Sequence, residues 1–583
     1  MEPQVQFDFA LQHEQVAKTM LFEQPIQIIT TTKLNEVPYC LEQIKNFINK
    51  GYYAAGFMSY EATYAFYNIG QTVVTDFPLL WFGVFHKPCI TKNRNISTQK
   101  AFTLNWKIEQ PKDQYIQTVE TIQEEIHKGK IEQINYTVPF TTTFHGSKRA
   151  YYEQLILSQQ ANYNAFVQFE DIAILSASPE LFLKLEKDTI TVRPMKGTID
   201  RGLEANEDER KRISLLKSEK NLRENEMILR LMEDELQKVC DKTKVIEHFT
   251  IEKYPTVYQM TSAIEGIRRK NVHPVDLITT LFPPASITGT PKKEAIKLIS
   301  TYEKENRNVY CGIIGYITPE YEALFNVAIR TVLINKNRAK YFAGGAITKR
   351  SLPEEEYEEV WTKAKLLETS FPPFQLLETG LIEKGTFFLK EQHIKRLKKS
   401  ANYFNIKFNE KALRVRVLEL ERRYNKGSWR LRLLMDKRGK VTTEVLPIEE
   451  TPKQTKKVLL ATTPIDRENV FLYHKTTERS MFDSFRRALN DEIFDLLLWN
   501  EKREITEFTI GNIVVELDGK LYTPPVQCGL LPGTFRQQLL DTGTIKEATI
   551  TIDTLKNATN LWLINSVRKW VPVEIIEHNF YQN

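Results

Sequence analysis

The chain has 583 residues, with 80 lysines and arginines against 74 aspartates and glutamates, a net charge of +6, 42% hydrophobic residues and 26% charged residues. That length exceeds what one hydrophobic core usually serves, so two domains, or three, are expected. The small charge excess argues against a nucleic-acid or membrane-surface binder, which would concentrate more positive charge, but leaves anionic small molecules open as ligands of local arginines.

Cys40, Cys89, Cys240, Cys311 and Cys528 stand far apart with no C-x-x-C pair. This spacing suits neither a disulfide framework nor a structural zinc site. The N-terminal residues lack the basic and apolar regions of a secretory signal, and no run of about 18 apolar residues occurs, so a cytoplasmic protein is expected. No internal repeat or low-complexity segment is visible.

In chain order, residues 172–176, 181–186 and 189–193 read as short strands, with Lys187-Asp188 turning the last two. Residues 203–240 read as a long charged helix or a helix pair. Thr290-Pro291 opens another helix, with a capping residue followed by Pro at the first position. Ala295, Leu298, Ile299 and Tyr302 share one face of it. Residues 309–318, 323–334 and 340–347 return to strand patterns. A charged helical pattern runs from Pro353 to about Glu368 and stops at Phe371-Pro372-Pro373, where a diproline forces extended chain. A first domain over 1–370 and a second over 371–583 are expected. In the second, Ile513 to Leu517, Asp518-Gly519 and Lys520 to Thr523 predict a hairpin on a two-residue turn.

Arg193-Pro194-Met195-Lys196-Gly197-Thr198 sets a lysine at a strand end beside a glycine that lets a ligand approach. A free lysine has a pKa near ~10.4, so burial or a nearby cation must lower it before the amine can attack. Alone, the segment reads first as a surface turn, and Glu354 to Glu359 as a solvated acidic helix start. Other segments stand in order around it: Gly129-Lys130-Ile131-Glu132-Gln133-Ile134-Asn135, Ser178-Pro179-Glu180, Glu224-Asn225, Phe282 to Lys292, Asn326 to Thr331 on a predicted strand, Gly344-Gly345-Ala346-Ile347, and Glu356 to Glu359. Together they resemble the chorismate-utilising family of anthranilate, isochorismate and aminodeoxychorismate synthases, over about residues 110 to 370. Gly56 to Glu61 looks like the N-terminal part of the aminodeoxychorismate synthases.

The resemblance implies a large antiparallel β-sandwich with surrounding helices, in an α+β chain. Lysine in the P-x-K-G-T motif looks like the mark of aminodeoxychorismate synthases. By the same resemblance, Lys196 is the nucleophile and Glu180 the general acid, while Glu224, Glu356 and Glu359 are Mg²⁺ ligands. Gln133, Thr288, Gly289, Arg330, Gly344, Gly345 and Lys363 contact substrate. Gln133 matches a position where isochorismate synthases carry a water-activating lysine; it cannot act as that base, which favours ammonia over hydration. Departures from the family pattern are Arg230, Glu233, Asp234 and Glu235 on the charged helix, Tyr258 where a family histidine is expected near substrate, and Arg350-Ser351. None of the five cysteines sits in a glutaminase elbow, so ammonia is expected from a separate glutamine amidotransferase subunit.

From about residue 374 the chain resembles fold-type IV enzymes that use pyridoxal 5'-phosphate (PLP), a group of aminodeoxychorismate lyases and of branched-chain and D-amino-acid aminotransferases. The segments are Leu377 to Gly380, His393 to Leu397, Tyr473 to Arg479, Thr506 to Asn512 and Gly529 to Thr534. PLP needs a lysine to carry it, a carboxylate at its ring nitrogen and donors for its phosphate. Lys475, Glu507 and Arg396 match these, with Thr534, Phe535 and Ser566 as further phosphate contacts and Thr379 as an aid to proton transfer. The implied activity is synthesis of 4-aminobenzoate from chorismate, for folate, by a synthase fused to a lyase. An anthranilate-type synthase fused to an aminotransferase, and a non-catalytic first domain docking an amidotransferase, stay open, as does an oligomer formed through the second domain.

Overall fold

The computed structural model describes residues 2–10, 18–67, 69, 75–91, 102, 104–368, 372–448, 454–487, 489–490 and 492–576; Phe371, at the expected boundary, lies outside them. The chain divides into two compact units, one of residues 1–201 and 211–371, the other of 202–210 and 372–583.

Among the described residues, the first unit holds two ten-stranded sheets whose pairings are all antiparallel. Strand alternation assigns the two faces. On the strand Ile172–Ser178, Ile172 and Ile174 join a core of Val5, Phe7, Phe57, Trp81 and Ile314, which draws on both sheets. Ala173, Leu175 and Ala177 face the opposite way, into the larger core that includes the helices. This strand is therefore covered on both faces and is buried along its whole length.

Two of the chain's passages between the sheets lie side by side. Ser178-Pro179-Glu180 carries the chain from Ile172–Ser178 in the first sheet to Leu181–Glu186 in the second. The segment 328–330 carries it back, from Ala323–Val327 to Thr331–Asn335. What the sequence predicts as one strand over 323–334 is thus two strands in different sheets. Arg330, expected on a strand, sits at the bend with φ +52°, a left-handed backbone that ends pairing. Ala177 N donates to Arg330 O (3.1 Å), Val327 N to Glu180 O (3.0 Å) and Ser178 Oγ to Val327 O (2.6 Å), so the two crossings are laced together.

The charged segment 203–240 is a helix pair, Ala205–Lys217 and Glu219–Gln237, with Ser218 capping the second. The helix expected at Thr290-Pro291 is Lys292–Tyr302. Pro291 is its N-cap rather than its first residue, because Thr290 pairs with Gln133 as a strand. The helix Pro353–Ala364 ends in a short 3-10 turn, Lys365–Leu367.

In the second unit a four-stranded antiparallel sheet packs with the helices Lys390–Tyr403 and Glu410–Arg423. An eight-stranded sheet follows. Ile505–Phe508 pairs with both Asp495–Trp499 and Gly511–Leu517, which closes six of its strands into a ring. The predicted hairpin is present, with Leu517 opposite Lys520 and positive φ at Asp518 (49°) and Gly519 (69°).

One buried pair braces the first unit. Arg307, 1% exposed, donates from Nε and Nη2 to Glu303 (2.7 and 2.6 Å), and to Ile287 O (3.1 Å) and Asn135 O (2.8 Å), with its guanidinium over the Tyr60 ring. Arg307→Met would strand a buried carboxylate, and should cost the first unit about 3–5 kcal/mol in its urea unfolding transition. A loss below about 1 kcal/mol, the worth of an exposed pair, would contradict that bracing role.

Candidate active sites

In the first unit, one pocket is lined by Glu180, Lys196, Glu224, Arg330, Gly344, Gly345, Glu356, Glu359 and Lys363. The crossings deliver Glu180 and Arg330. Glu356, Glu359 and Lys363 lie on one face of the helix Pro353–Ala364, and Glu224 comes from the helix Glu219–Gln237.

Lys196, on the strand Met195–Asp200, is 7% exposed, and Nζ donates to Asn135 Oδ1 (3.3 Å). Burial holds this amine below its ordinary pKa; Glu224 opposes the shift and Lys363 adds to it. Glu180 is 2% exposed, and burial pushes its carboxyl up to about 7 against donors from Ser286 and Met195. Both donors, Ser286 Oγ (2.6 Å) and Met195 N (3.4 Å), reach Oε1. A proton on Glu180 is therefore best carried on Oε2. Glu180 is thus poised to hold and release a proton near neutral pH.

Glu224, Glu356 and Glu359 share this pocket, but among the described residues no group of His, Cys, Asp or Glu converges to hold a metal ion. Lysines stand between them: Lys220 Nζ lies 3.2 Å from Glu356, and Lys363 is ion-paired with Glu359. Burial and the neighbouring Glu359 raise the Glu356 pKa, and burial raises that of Glu224. Burial would raise Glu359 too, but Lys363 more than reverses it. Two features fit a hard cation. Glu224 Oε1 is buried with no hydrogen-bond partner among the described residues, and a methyl group on Gly345 would come within 2.7 Å of Glu356 Oε2.

Three expected substrate contacts do not line this pocket: Gln133, Thr288 and Gly289. Gln133 is fully buried where its strand pairs with 289–290. Thr288 donates to Pro284 O (2.9 Å). Gly289 has φ +143°, and a Cβ there would approach Gln133 O to 2.3 Å, so close strand packing requires this glycine. Gly344 likewise faces Tyr136 O, which a Cβ would approach to 2.0 Å, while its own carbonyl accepts from Lys363 Nζ (2.7 Å).

The departures fall largely outside the pocket. Tyr258 is buried with Leu215 and Met260, and its neighbour Gln259 faces the pocket instead, because side chains alternate along the strand Val257–Arg268. Gln259 accepts from Thr198 Oγ1 and donates to Gly197 O (both 3.1 Å). Arg230 pairs with Glu226 at the surface (3.2 Å), Glu235 pairs with buried Lys292, and Ser351 Oγ accepts from Thr348 N (3.0 Å). Asn135, Lys220 and Ser286 line the pocket without having been picked out as site residues. Asn135, two residues past Gln133 on the same strand face, was the one most open to inference.

In the second unit a pocket of about 910 Å³ is lined by Thr379, Arg396, Lys475, Glu507, Thr534, Phe535 and Ser566, which gathers every residue expected there. Its walls push the Lys475 amine down to about 8 by desolvation, helped by Arg396 and Arg479. Burial pushes Glu507 up to about 8, against a hydrogen bond from Leu531 N (3.1 Å). Arg396 is held by Glu378 (Nε to Oε1, 2.9 Å; Nη2 to Oε2, 2.6 Å), which also binds His393 Nδ1 (2.6 Å). Burial alone would raise Glu378, but Arg396 and His393 bring it down to about 2. Gly533 caps the helix Thr534–Asp541 with no capping side chain, and a Cβ there would meet Asn512 Oδ1 at 2.0 Å. Ser566 Oγ donates to Thr379 O (3.0 Å). A desolvated lysine, a buried carboxyl, an arginine and an uncapped helix start in one pocket fit PLP, with its phosphate at the helix N-terminus. Arg430, Arg432, Arg479 and Arg568 line the same pocket and make it strongly cationic; none was picked out as a site residue, although Arg479 closes the segment Tyr473 to Arg479.

A two-sheet antiparallel sandwich with a lysine–carboxyl pocket, joined to a ring-closed α+β unit with its own lysine pocket, defines the class of molecule. Residues 6–369 match the model of chorismate binding enzymes, and residues 375–576 that of class IV amino-transferases. The chain belongs to the chorismate binding enzyme family. It is 34% identical over 276 residues to aminodeoxychorismate synthase component 1 of Escherichia coli, covering 47% of this chain and 61% of that one. It is 31% identical over 261 residues to anthranilate synthase component 1 of Saccharolobus solfataricus, covering 44% and 62%. The matches thus span about three fifths of these relatives' lengths. Anthranilate synthase component I of Streptococcus pneumoniae shares the fold, at TM-score 0.53 and 22% identity over 62% of this chain and 94% of that one. No helix among the described residues is long and apolar enough to cross a membrane.

Glu507 gives a pH signature. Its ordinary value is 4.5, and in the folded protein it titrates at about 8. Its stability contribution is full below the lower value and is lost as pH rises through the higher one, by about 1.4 kcal/mol per pH unit between them. In protein dialysed free of small molecules, the second unit should therefore unfold more easily at pH 8 than at pH 5.5, and Glu507→Gln should flatten that slope. Equal slopes for the two proteins would contradict the assignment.

Proposed function

We propose that this chain converts chorismate to 4-aminobenzoate in two steps, amination in the first unit and pyruvate elimination in the second, as part of folate synthesis in the cytoplasm. The observation that carries this reading is the pair of desolvated lysines, Lys196 and Lys475, each in a pocket with a carboxyl of raised pKa.

In the first step the Lys196 amine attacks C2 of chorismate, the ring double bonds shift, and the C4 hydroxyl leaves as water with a proton from Glu180. Ammonia then bonds to C4 and the lysine departs from C2, giving aminodeoxychorismate. Arg330 and Lys363 are the cations for the substrate carboxylates, and a guanidinium suits a bidentate contact. Glu224, Glu356 and Glu359 would hold Mg²⁺, which supplies positive charge beside an anionic substrate. The ammonia comes from a glutamine amidotransferase subunit, since none of the five cysteines lies in a glutaminase elbow.

In the second step, PLP bound in the pocket supplies a ring that accepts electrons. Lys475 is the residue for carrying it and for taking the C4 proton of aminodeoxychorismate. Glu507 is suited to hold a proton at the ring nitrogen, and Arg396 with the Gly533–Phe535 backbone to bind the phosphate. The cationic walls suit a substrate with two carboxylates. Pyruvate leaves and the ring becomes aromatic. That Lys196 lies in a P-x-K-G-T motif, which resembles that of aminodeoxychorismate synthases, favours this reading over an anthranilate-type synthase. The departures at Arg230 and Tyr258 point away from the pocket, which favours an active first unit.

Incubation with chorismate, ammonium, Mg²⁺ and PLP should yield 4-aminobenzoate and pyruvate; anthranilate as product would refute the reading. Lys196→Ala should slow chorismate consumption on the order of 10³-fold while sparing conversion of aminodeoxychorismate. Lys475→Ala should do the reverse, accumulating aminodeoxychorismate and losing the absorbance of bound PLP.

A further inference from the structure

The first pocket holds a polar residue with no assigned role and contacts on every side. Asn135 lies on the strand Gln133–Thr143 and is 8% exposed. Its backbone is fixed at both ends: its N donates to Thr288 O (2.9 Å) and its O accepts from Arg307 Nη2 (2.8 Å). Its side chain faces the pocket and uses both ends of the amide. Oδ1 accepts from Lys196 Nζ (3.3 Å), and Nδ2 donates to Ser286 O (2.7 Å). The Ser286 hydroxyl donates in turn to Glu180 Oε1 (2.6 Å). A continuous path of side chain and backbone thus runs from the lysine amine to the carboxyl, through one asparagine and one serine.

We propose that Asn135 is a positioning residue, holding the Lys196 amine toward the substrate and, through Ser286, setting the orientation of the Glu180 carboxyl. The inference rests on the reading of Lys196 as nucleophile and Glu180 as acid. A lysine has four side-chain torsions to fix, and its amine must stay within bonding reach of one carbon; a single well-anchored acceptor removes much of that freedom. Asparagine suits the task for two reasons. Its oxygen accepts from the amine in either protonation state, and it adds no charge that would hold the proton on the lysine. Its NH₂ requires an acceptor, and Ser286 O supplies one, which fixes the amide in the orientation that points oxygen at Lys196. Arg307, through its bond to Asn135 O, makes the anchor stiff.

The test uses the full chain with saturating ammonium. Asn135→Ala should lower kcat for chorismate consumption about 10- to 100-fold while changing KM for chorismate less than about threefold. Asn135→Asp, close in shape, adds the charge that would hold the proton on Lys196 and has no donor for Ser286 O; it should lose at least as much kcat as the alanine variant, with a pH profile moved to higher pH. It also answers the question if Asn135→Ala fails to fold. In the Lys196→Ala background, Asn135→Ala should cost clearly less than it does in the wild type, because the part of its effect that acts through the amine is already gone and only the part through Glu180 is left. Wild-type kcat in both Asn135 variants, or a full additional loss in the double variant, would overturn the inference. If Lys196→Ala itself aminates chorismate at the wild-type rate, the fault lies with the nucleophile assignment instead.

Discussion

A guanidinium taken out of water is tolerated only where its charge and its five donors are met, and Arg307 is the plainest case in the chain. It meets Glu303 through Nε and Nη2, two backbone carbonyls through Nη1 and Nη2, and the face of Tyr60. Glu303 spends its second capacity on Thr137, accepting from its N and Oγ1 (both 2.9 Å). One ion pair therefore ties down Asn135, Thr137 and Ile287, three residues of the pocket wall on two separate segments. The two crossings between sheets are laced by their own backbone bonds. Side chains that lie far apart in sequence, such as Glu180 and Arg330, inherit their relative positions from that lacing.

Both pockets hold a buried lysine amine whose pKa is lowered, and they lower it by different means. The second relies on desolvation reinforced by like charge, with Arg396 and Arg479 near Lys475. The first relies on desolvation against neighbouring carboxylates, with Glu224 and Glu180 working to keep Lys196 charged and Lys363 opposing them. A cation bound by Glu224, Glu356 and Glu359 would relieve that opposition, because it would screen the carboxylates that now face the amine.

Much of this was legible from side-chain patterns alone. The strands near 172–193 and the Asp518-Gly519 hairpin declare themselves, since alternation and a two-residue turn of positive φ leave direct marks. Of the second pocket, Thr379, Arg396, Lys475, Glu507 and Thr534 were legible because each occupies a short local motif, while its arginine walls were not picked out. The strand over 323–334 was misread for a physical reason: its halves are apolar on both faces, and only the backbone of Arg330 divides them. The register of pocket-facing residues was the other blind spot. Gln133 and Asn135 share a strand face, and Tyr258 and Gln259 alternate, so the residue that reaches the cavity depends on where the cavity ends. The pairing of Lys220 with Glu356 was invisible, because it joins two helices more than a hundred residues apart, whereas Lys363 and Glu359 stand four residues apart on one helix.

The closed strand ring of the second unit has a consequence for biosynthesis. Its opening strand, Lys456–Leu460, lies parallel to both of its neighbours, and one of these is Lys569–Ile575. Parallel neighbours cannot form as a local hairpin, so this seam waits until more than a hundred further residues have been made. Until then a nascent chain holds an apolar strand edge with no mate, at a stage when the first unit already has all of its own strands. The interval between the two is when the growing polypeptide is most exposed to mispairing, and when a chaperone would have most to shield.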